Sequence, residues 1–434
     1  MSNWARWSLP GVAALIVILA AMAGTPAAPA RDPSPVDVRR TIAACPDLGT
    51  KAEIAVGALP ETTAELRPGD EKISGEWHES GARDKAPIVT ARSSGGSSGN
   101  SAGAMAFTRA DDDLLVAHCP REHAERWWAG AGGERTRSTR LELVNLTDAP
   151  AVAKLTLWGQ DGPIDTQSSI AVKPHRRKQI ELSDLVAGQS ELAARLQVDR
   201  GAVSASMVDS GSAGPQILPA TSGPAATTLV SGVERPAGSE LVLANPGDHT
   251  ARAKVSLVGA DGPVAPEGVD NVKVPAGAVT TVDIPEAAGT DAAAIQVDAT
   301  HPVAATARMR PDDHYAYAVA HPVLRDEALV PLSMGDALPS PRVLVTAKKR
   351  TMVRIRTFDD AFDELAHHDY RVDGGTTQEL QLGSDLKLGR ASSALINGEV
   401  SGAVVYGSGN QIAALPLEPA VAQVLAPDIQ IGSR

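Results

Sequence analysis

The sequence predicts an all-β protein, a series of tandem immunoglobulin-like β-sandwich domains after an N-terminal signal or anchor helix. Three observations predict it. A block of about one hundred residues recurs along the chain. Within each block the apolar residues alternate with period two, as strands with one buried face require. The chain also opens on a cation, an apolar run and a small-residue stretch, in that order.

The first segment, residues 1–30, carries Arg6, an uncharged apolar run from Leu9 to Ala23, and Ala28-Pro29-Ala30. That order is a secretory signal, and the run falls short of the ~20 residues that span a bilayer comfortably. Trp4 and Trp7 suit a membrane interface and would help an uncleaved segment act as an anchor. The leader is expected either to be cleaved, giving a secreted protein, or to hold the chain at the plasma membrane. Everything after it is expected outside the cytoplasm.

Residues 31–135 read as a divergent N-terminal β module. "AEIAVGAL", "TAELRPGD" and "GAMAFTRADDDLLVAHC" have strand character, and "ARSSGGSSGNSAG" is a flexible loop by composition. The chain's two cysteines, Cys45 and Cys119, both fall here. An even pair in an exported protein predicts one disulfide, worth roughly 4 kcal/mol for a loop of this size on the chain-entropy model. "HCPREH" also brings His118, Cys119 and His123 close in sequence. A zinc site needs four ligands, and no second ligand pair is offered, so no metal is expected.

The repeat begins at residue 136. "AKLTLWGQDGP" (Ala153 to Pro163) returns as "AKVSLVGADGP" (Ala253 to Pro263), and Asn145 and Asp148 match Asn245 and Asp248. "LQVD" from Leu196 answers "IQVD" from Ile295, and "VSAS" from Val203 answers "VAAT" from Val303. A weaker third copy carries "VRIRTF" from Val353, "VDGGTTQELQL" from Val372 and "GAVV" from Gly402. The copies are expected at 136–230, 231–327 and 328–434. Each alternates as strands do, and the Asp-Gly-Pro is turn chemistry, since Gly takes positive φ and Pro forbids continued pairing. Solenoids and propellers usually repeat every ~20–50 residues, half of this period or less. Separate sandwiches joined in a rod fit the spacing better. Only "FDDAFDELAHHDY" (Phe358 to Tyr370) has any helical character, enough for a turn or two.

Composition limits the partners. A hydrophobic fraction of 43% supports real cores, and aromatics at 3% leave them to Val, Leu, Ile and Ala. The net charge of −12 argues against nucleic acid, which calls for a basic stripe. Short basic clusters such as Arg176-Arg177-Lys178 and Lys348-Lys349-Arg350 read as solvated turns.

No stretch carries a catalytic constellation. Gly95–Gly99, "GGSSG", matches G-x-S-x-G but lacks the strand and helix of a nucleophile elbow. Ser384–Lys387, "SDLK", matches Ser-x-x-Lys without a long helix or a companion Lys-Thr-Gly. The carboxylates at Asp111–Asp113 and Asp312-Asp313 lack calcium-loop spacing, and His367-His368 is ordinary surface sequence. Asn145-Leu146-Thr147 is a formal glycosylation sequon. The remaining candidate is "ERWWAGAGG": Arg126, Trp127 and Trp128 form either a packing cluster or a binding surface, because adjacent strand residues face opposite sides. No cofactor is expected.

"HCPREHAERWWAGAGG", followed by "LELVNLTDAPAVAKLTLWGQDG" and "LVLANPGDHTARAKVSLVGADG", resembles an actinobacterial family of secreted or membrane-anchored proteins, domain-of-unknown-function family 5719. The resemblance implies location and organisation and brings no catalytic residues. Together these readings predict a non-enzymatic extracytoplasmic scaffold at the cell envelope. It would present its N-terminal module or its inter-domain grooves to an envelope glycan or a membrane or envelope protein. The rival is an enzyme or accessory subunit acting on envelope polysaccharide.

Overall fold

Period-two alternation becomes strands throughout. The computed structural model describes residues 35–37, 40–49, 52–58, 62–67, 75–78, 86–93, 102–110, 113–212, 214–286, 291–310, 315–325, 327–332, 338–361, 363–409, 411–420 and 423–425. The predicted leader at 1–30, Gly95–Gly99, Asp111-Asp112 and Asp312-Asp313 therefore lie outside the described residues. The chain forms two units, Met1–Asp37 with Gln423–Arg434, and Val38–Ala422. In the first, β1 (Pro35–Asp37) pairs antiparallel with a strand at Gln423–Leu425.

The second unit holds four copies of one strand plan. The N-terminal module contains β2 (Arg40–Ala44), β3 (Glu53–Ala58), β4 (Thr62–Arg67), β5 (Gly75–His78), β6 (Ile88–Ser93), β7 (Ala102–Ala110) and β8 (Asp113–His118). Copy 1 contains β9 (Glu125–Gly133), β10 (Ser138–Asn145), β11 (Ala151–Gly159), β12 (Gly162–Val172), β13 (Arg177–Glu181), β14 (Gln189–Arg200), β15 (Val203–Gly211) and β16 (Gly214–Leu218). Copy 2 runs through β17 (Ala225–Val233), β18 (Glu240–Ala244), β19 (Ala251–Gly259), β20 (Gly262–Val264), β21 (Val272–Val274), β22 (Val279–Asp283), β23 (Ala293–Met309) and β24 (Ala316–Val319). Copy 3 has β25 (Glu327–Pro331), β26 (Arg342–Ala347), β27 (Thr351–Phe358), β28 (Glu364–Val372), β29 (Thr376–Leu380), β30 (Ser393–Asn397), β31 (Ser401–Ser408) and β32 (Gln411–Pro416).

In copy 1 one group of strands runs β12-β11-β14-β9 and the other β13-β10-β15-β16. Copy 3 repeats both orders as β28-β27-β30-β25 and β29-β26-β31-β32. The N-terminal module follows with β4-β6-β2 and β5-β3-β7-β8, a kinship its sequence barely shows. In copy 2 one 17-residue strand, β23, serves both groups. The reason is local. Copy 1 breaks the equivalent strand at Gly201, with φ of 84°, whereas copy 2 has His301-Pro302 there and runs on.

The repeated motifs now have physical roles. Gly162 (φ 136°) and Gly262 (φ 106°) turn the β11–β12 and β19–β20 hairpins, a backbone state that L side chains rarely adopt. Asn145 donates from Nδ2 to the carbonyls of Ala149 and Val172, and its Oδ1 accepts from the Thr147 N–H. Asn245 does the same with His249, Val274 and Gly247. The sequon at Asn145 is thus a fully buried turn lock.

Three readings are corrected. Strand β9 pairs with β14, so it belongs to copy 1 and not to the module that a boundary at 135/136 leaves it in. The boundary at 230/231 likewise cuts through β17. "DELAHHDY" is no helix: it forms strand β28 against β27, after a turn in which Asp359 Oδ1 accepts from the N–H groups of Ala361 and Asp363. Cross-strand pairing overrides the weak helical pattern there.

The third correction concerns the rod. Each copy buries a core between its own strand groups, as Leu141, Leu143, Leu155, Leu157, Leu196 and Met207 do in copy 1. The outer faces are buried too. Ala44 and Ile88 of the N-terminal module pack with Val144 and Leu146 of copy 1. Trp127 and Trp158 of copy 1 pack with Val242 and Ala304 of copy 2. Val255 and Leu257 of copy 2 share a cluster with Leu344 and Val405 of copy 3. Met105 and Phe107 then pack with Val330 and Ile396, joining copy 3 back to the N-terminal module. The four copies close on themselves, as radially repeated sheets do, instead of standing in series. The last strands of the four copies, β8, β16, β24 and β32, meet at Leu114, Ile217, Tyr317 and Ile412. Burial on both faces is why the strand segments "LVLA" (Leu241 to Ala244) and "ALI" (Ala394 to Ile396) read as apolar runs without alternation.

A buried ionic network ties copy 1 to copy 2. Arg137 Nε donates to Asp209 Oδ2 and Nη1 to Glu191 Oε1, each at 2.9 Å. Tyr317 donates to Asp209 Oδ2 at 2.6 Å, and Thr139 to Asp209 Oδ1 at 2.6 Å. Arg308 reaches both Glu191, at 2.6 Å, and Glu240. Burial pushes the Glu191 carboxyl up against the pull of Arg137 and Arg308. Burial also works against the Arg137 charge, but Tyr317, Asp209 and Glu191 more than reverse it.

Candidate functional site

The predicted binding surface is buried. Trp128 is 0% exposed inside the copy 1 core, Trp127 is 6% exposed and Arg126 9%. Trp127 stacks on Trp158 with ring centroids 5.3 Å apart, and its Nε1 donates to Glu125 Oε1 at 2.7 Å. Arg195 lies over both rings, at 5.4 and 5.9 Å. The pair fills the junction between copies 1 and 2. Arg126 turns inward and donates from Nη2 to the Arg121 carbonyl and to His123 Nδ1. These three residues cement the chain and present no surface.

The same junction one copy later is open. Arg195 pairs with Thr156 and Trp127, and Gln296 pairs with Ser256 and Leu229. Gln296 and Leu229 therefore stand where Arg195 and Trp127 stand in copy 1, and Val258 replaces Trp158. The receiving face changes as well. The paired Ala244 and Ala304 of copy 2 become the paired Thr346 and Ser401 of copy 3, and Val279 becomes Thr377. Two indoles are lost, and the result is a groove of about 530 Å³ between copies 2 and 3. Leu229, Val258, Pro263, Val323 and Ala347 line it, with Thr227, Thr228, Ser401, Gln296, His321 and Lys348 supplying polar groups. Thr228 is 5% exposed, and its Oγ1 has no hydrogen-bond partner among the described residues.

The profile of a family of unknown function, DUF5719, matches residues 78–383. The chain belongs to that family. Among curated proteins and solved structures, none matches it. In this DUF5719 protein the matched span takes in the filled junction and every groove residue except Ser401.

One groove residue leads to a second cluster. His321 Nε2 stands 3.9 Å from Glu418 Oε1. Glu418 and His118 line two small adjacent cavities, one beside Cys119 and Arg121, the other beside Arg126 and Trp128. The predicted disulfide Cys45–Cys119 is formed there. His118 Nε2 lies 3.0 Å from the Pro416 carbonyl, and Arg121 donates to the carbonyls of Pro419 and Ala420. Burial disfavours the Glu418 charge, yet His118, His321, Arg126 and Arg121 together hold its carboxyl far below the ordinary range. Burial pushes His321 down, with Glu418 opposing. Among the described residues no group of three or more His, Cys, Asp or Glu is placed to hold a metal ion.

These shifts set a pH dependence. A histidine held below its unfolded value of 6.5 is neutral in the native state, so the unfolded chain binds the proton first as pH falls. Stability from His321 is full above that value and declines below it. The depressed Glu418 adds a loss in the same sense below its unfolded value of 4.5. Melting temperature should fall steadily from pH 7 to pH 4, and His321→Gln should flatten the upper part of that fall in a calorimetric series.

Sequence reasoning missed the groove because Leu229, Val258, Thr346 and Ser401 are unremarkable one by one. The readable signal was the exchange of Trp158 for Val258 between copies. Its meaning depended on knowing that the position faces another copy.

Proposed function

We propose that this protein is a non-enzymatic extracytoplasmic scaffold of the cell envelope, secreted or held at the plasma membrane by its leader. Its groove between copies 2 and 3 receives a glycan or protein partner. One observation carries the reading: of two equivalent junctions, one is plugged by stacked tryptophans and the other is open and lined with hydroxyls. Each copy is read as a β-sandwich with the immunoglobulin-like pairings of second with fifth and third with sixth strands. Its first and seventh strands have exchanged sheets relative to that fold. The leader sequence and the disulfide support an oxidising location. The rival, an enzyme or accessory subunit acting on envelope polysaccharide, calls for two carboxyls facing a cleft at roughly 5–9.5 Å. Glu191, Asp209 and Glu240 are instead bound by arginines, and none lines the groove.

The test copies the protein's own plug. Leu229→Trp with Val258→Trp rebuilds the stacked pair in the open junction. The unmodified protein should cosediment saturably with cell-wall sacculi or membrane vesicles from its source cell, and the filled variant should lose roughly tenfold or more in affinity. Retention of the filled variant at the unmodified level would remove the groove from the function.

A further inference from the structure

The groove's lining selects a ligand chemistry. Its volume of about 530 Å³ lies within the ~300–1,000 Å³ usual for small-molecule sites. Its apolar walls are aliphatic, and among the described residues no aromatic ring other than the His321 imidazole lines it, so these walls offer little on which a sugar face would stack. Charge points the same way. The chain has 52 acidic residues against 40 basic ones, yet among the described residues no carboxylate lines the groove and Lys348 does.

We propose that the groove binds an amphiphile with an aliphatic chain and a single carboxylate: the chain lies along Leu229, Val258, Pro263, Val323 and Ala347, and the carboxylate lies at Lys348. The proposal rests on the groove being the binding site and replaces the glycan or protein occupant with an amphiphile. Non-covalent capture of this kind needs no co-reactant. Lys348 is exposed at the rim, so it selects the head group and contributes at most about tenfold in affinity, while the aliphatic wall supplies the rest.

Calorimetric titration of the full chain with decanoate, decanol and decyltrimethylammonium tests it. Decanoate should bind saturably at one site per chain, decanol roughly tenfold more weakly, and the cation not measurably. Lys348→Met should bring decanoate down to the level of decanol and leave decanol unchanged. Val258→Trp alone, and with Leu229→Trp, should abolish binding of both, with an unchanged circular dichroism spectrum showing that the fold survives. Should the double variant fail to fold, the single variant and Lys348→Met still decide the matter. Absence of decanoate binding, equal binding of decanol, or binding that survives Val258→Trp would overturn the proposal. If decanoate fails while groove filling still abolishes retention on sacculi or vesicles, the amphiphile falls and the groove stands. If filling changes neither, both fall. Displacement of decanoate by soluble peptidoglycan fragments at comparable concentration would reassign the site to a glycan.

Discussion

Asp209→Ala is expected to cost about 3–5 kcal/mol of unfolding free energy, because it breaks a buried ion pair from one side. Its two oxygens accept from Thr139, Tyr317 and Arg137, and all three donors would be left in the junction between copies 1 and 2. Arg137 would stay in the junction, since it is also held by Glu191, the Ser190 carbonyl and the Gly130 carbonyl. Urea unfolding of the unmodified and variant proteins measures the loss. Tyr317→Phe removes the hydrogen bond to Asp209 and the one that Arg137 Nη2 donates to the hydroxyl, but leaves the ion pair, so it should cost about 2 kcal/mol. A loss below 1 kcal/mol for Asp209→Ala would mean that the network contributes nothing net and that the apolar cluster around Trp127 and Trp158 holds the junction alone.

The second large effect is expected from the disulfide. Cys45 and Cys119, 74 residues apart, are bonded just after β2 and β8, the outermost strands in sequence of the N-terminal module. Ser substitution at both should cost roughly 4 kcal/mol through the freed entropy of the unfolded chain. The consequence should reach beyond that module. Arg121, two residues from Cys119, donates to the carbonyls of Pro419 and Ala420 at the end of copy 3, and Ala43, two residues from Cys45, bridges to Arg121. Hydrogen exchange should therefore quicken at residues 416–420 as well as around Cys45 in the double-Ser variant. Exchange confined to the N-terminal module would show that closure does not depend on the crosslink.

Much of the fold was legible. The strands around "AKLTLWG" and "AKVSLVG" follow from alternation and an Asp-Gly-Pro turn, which are local and need no partner. The disulfide followed from counting. The candidate site was misplaced for a physical reason. The packing alternative for Arg126, Trp127 and Trp128 has one Trp covering the junction to the next domain, but which strands of which copy meet there has no local signature. The apolar runs "LVLA" and "ALI" were the only trace of such contacts.

The sequence by itself determined the β character, the recurrence of one strand plan, the turn residues and the crosslink. Each depends on neighbours within a few residues or on the identity of the residue type. Only the tertiary structure decided that the four copies close into one unit, that the tryptophans are a plug and that the next junction is open. Those outcomes depend on which faces meet across some hundred residues of chain, where hydrophobic contact is non-directional and side-chain spacing carries no record of the partner.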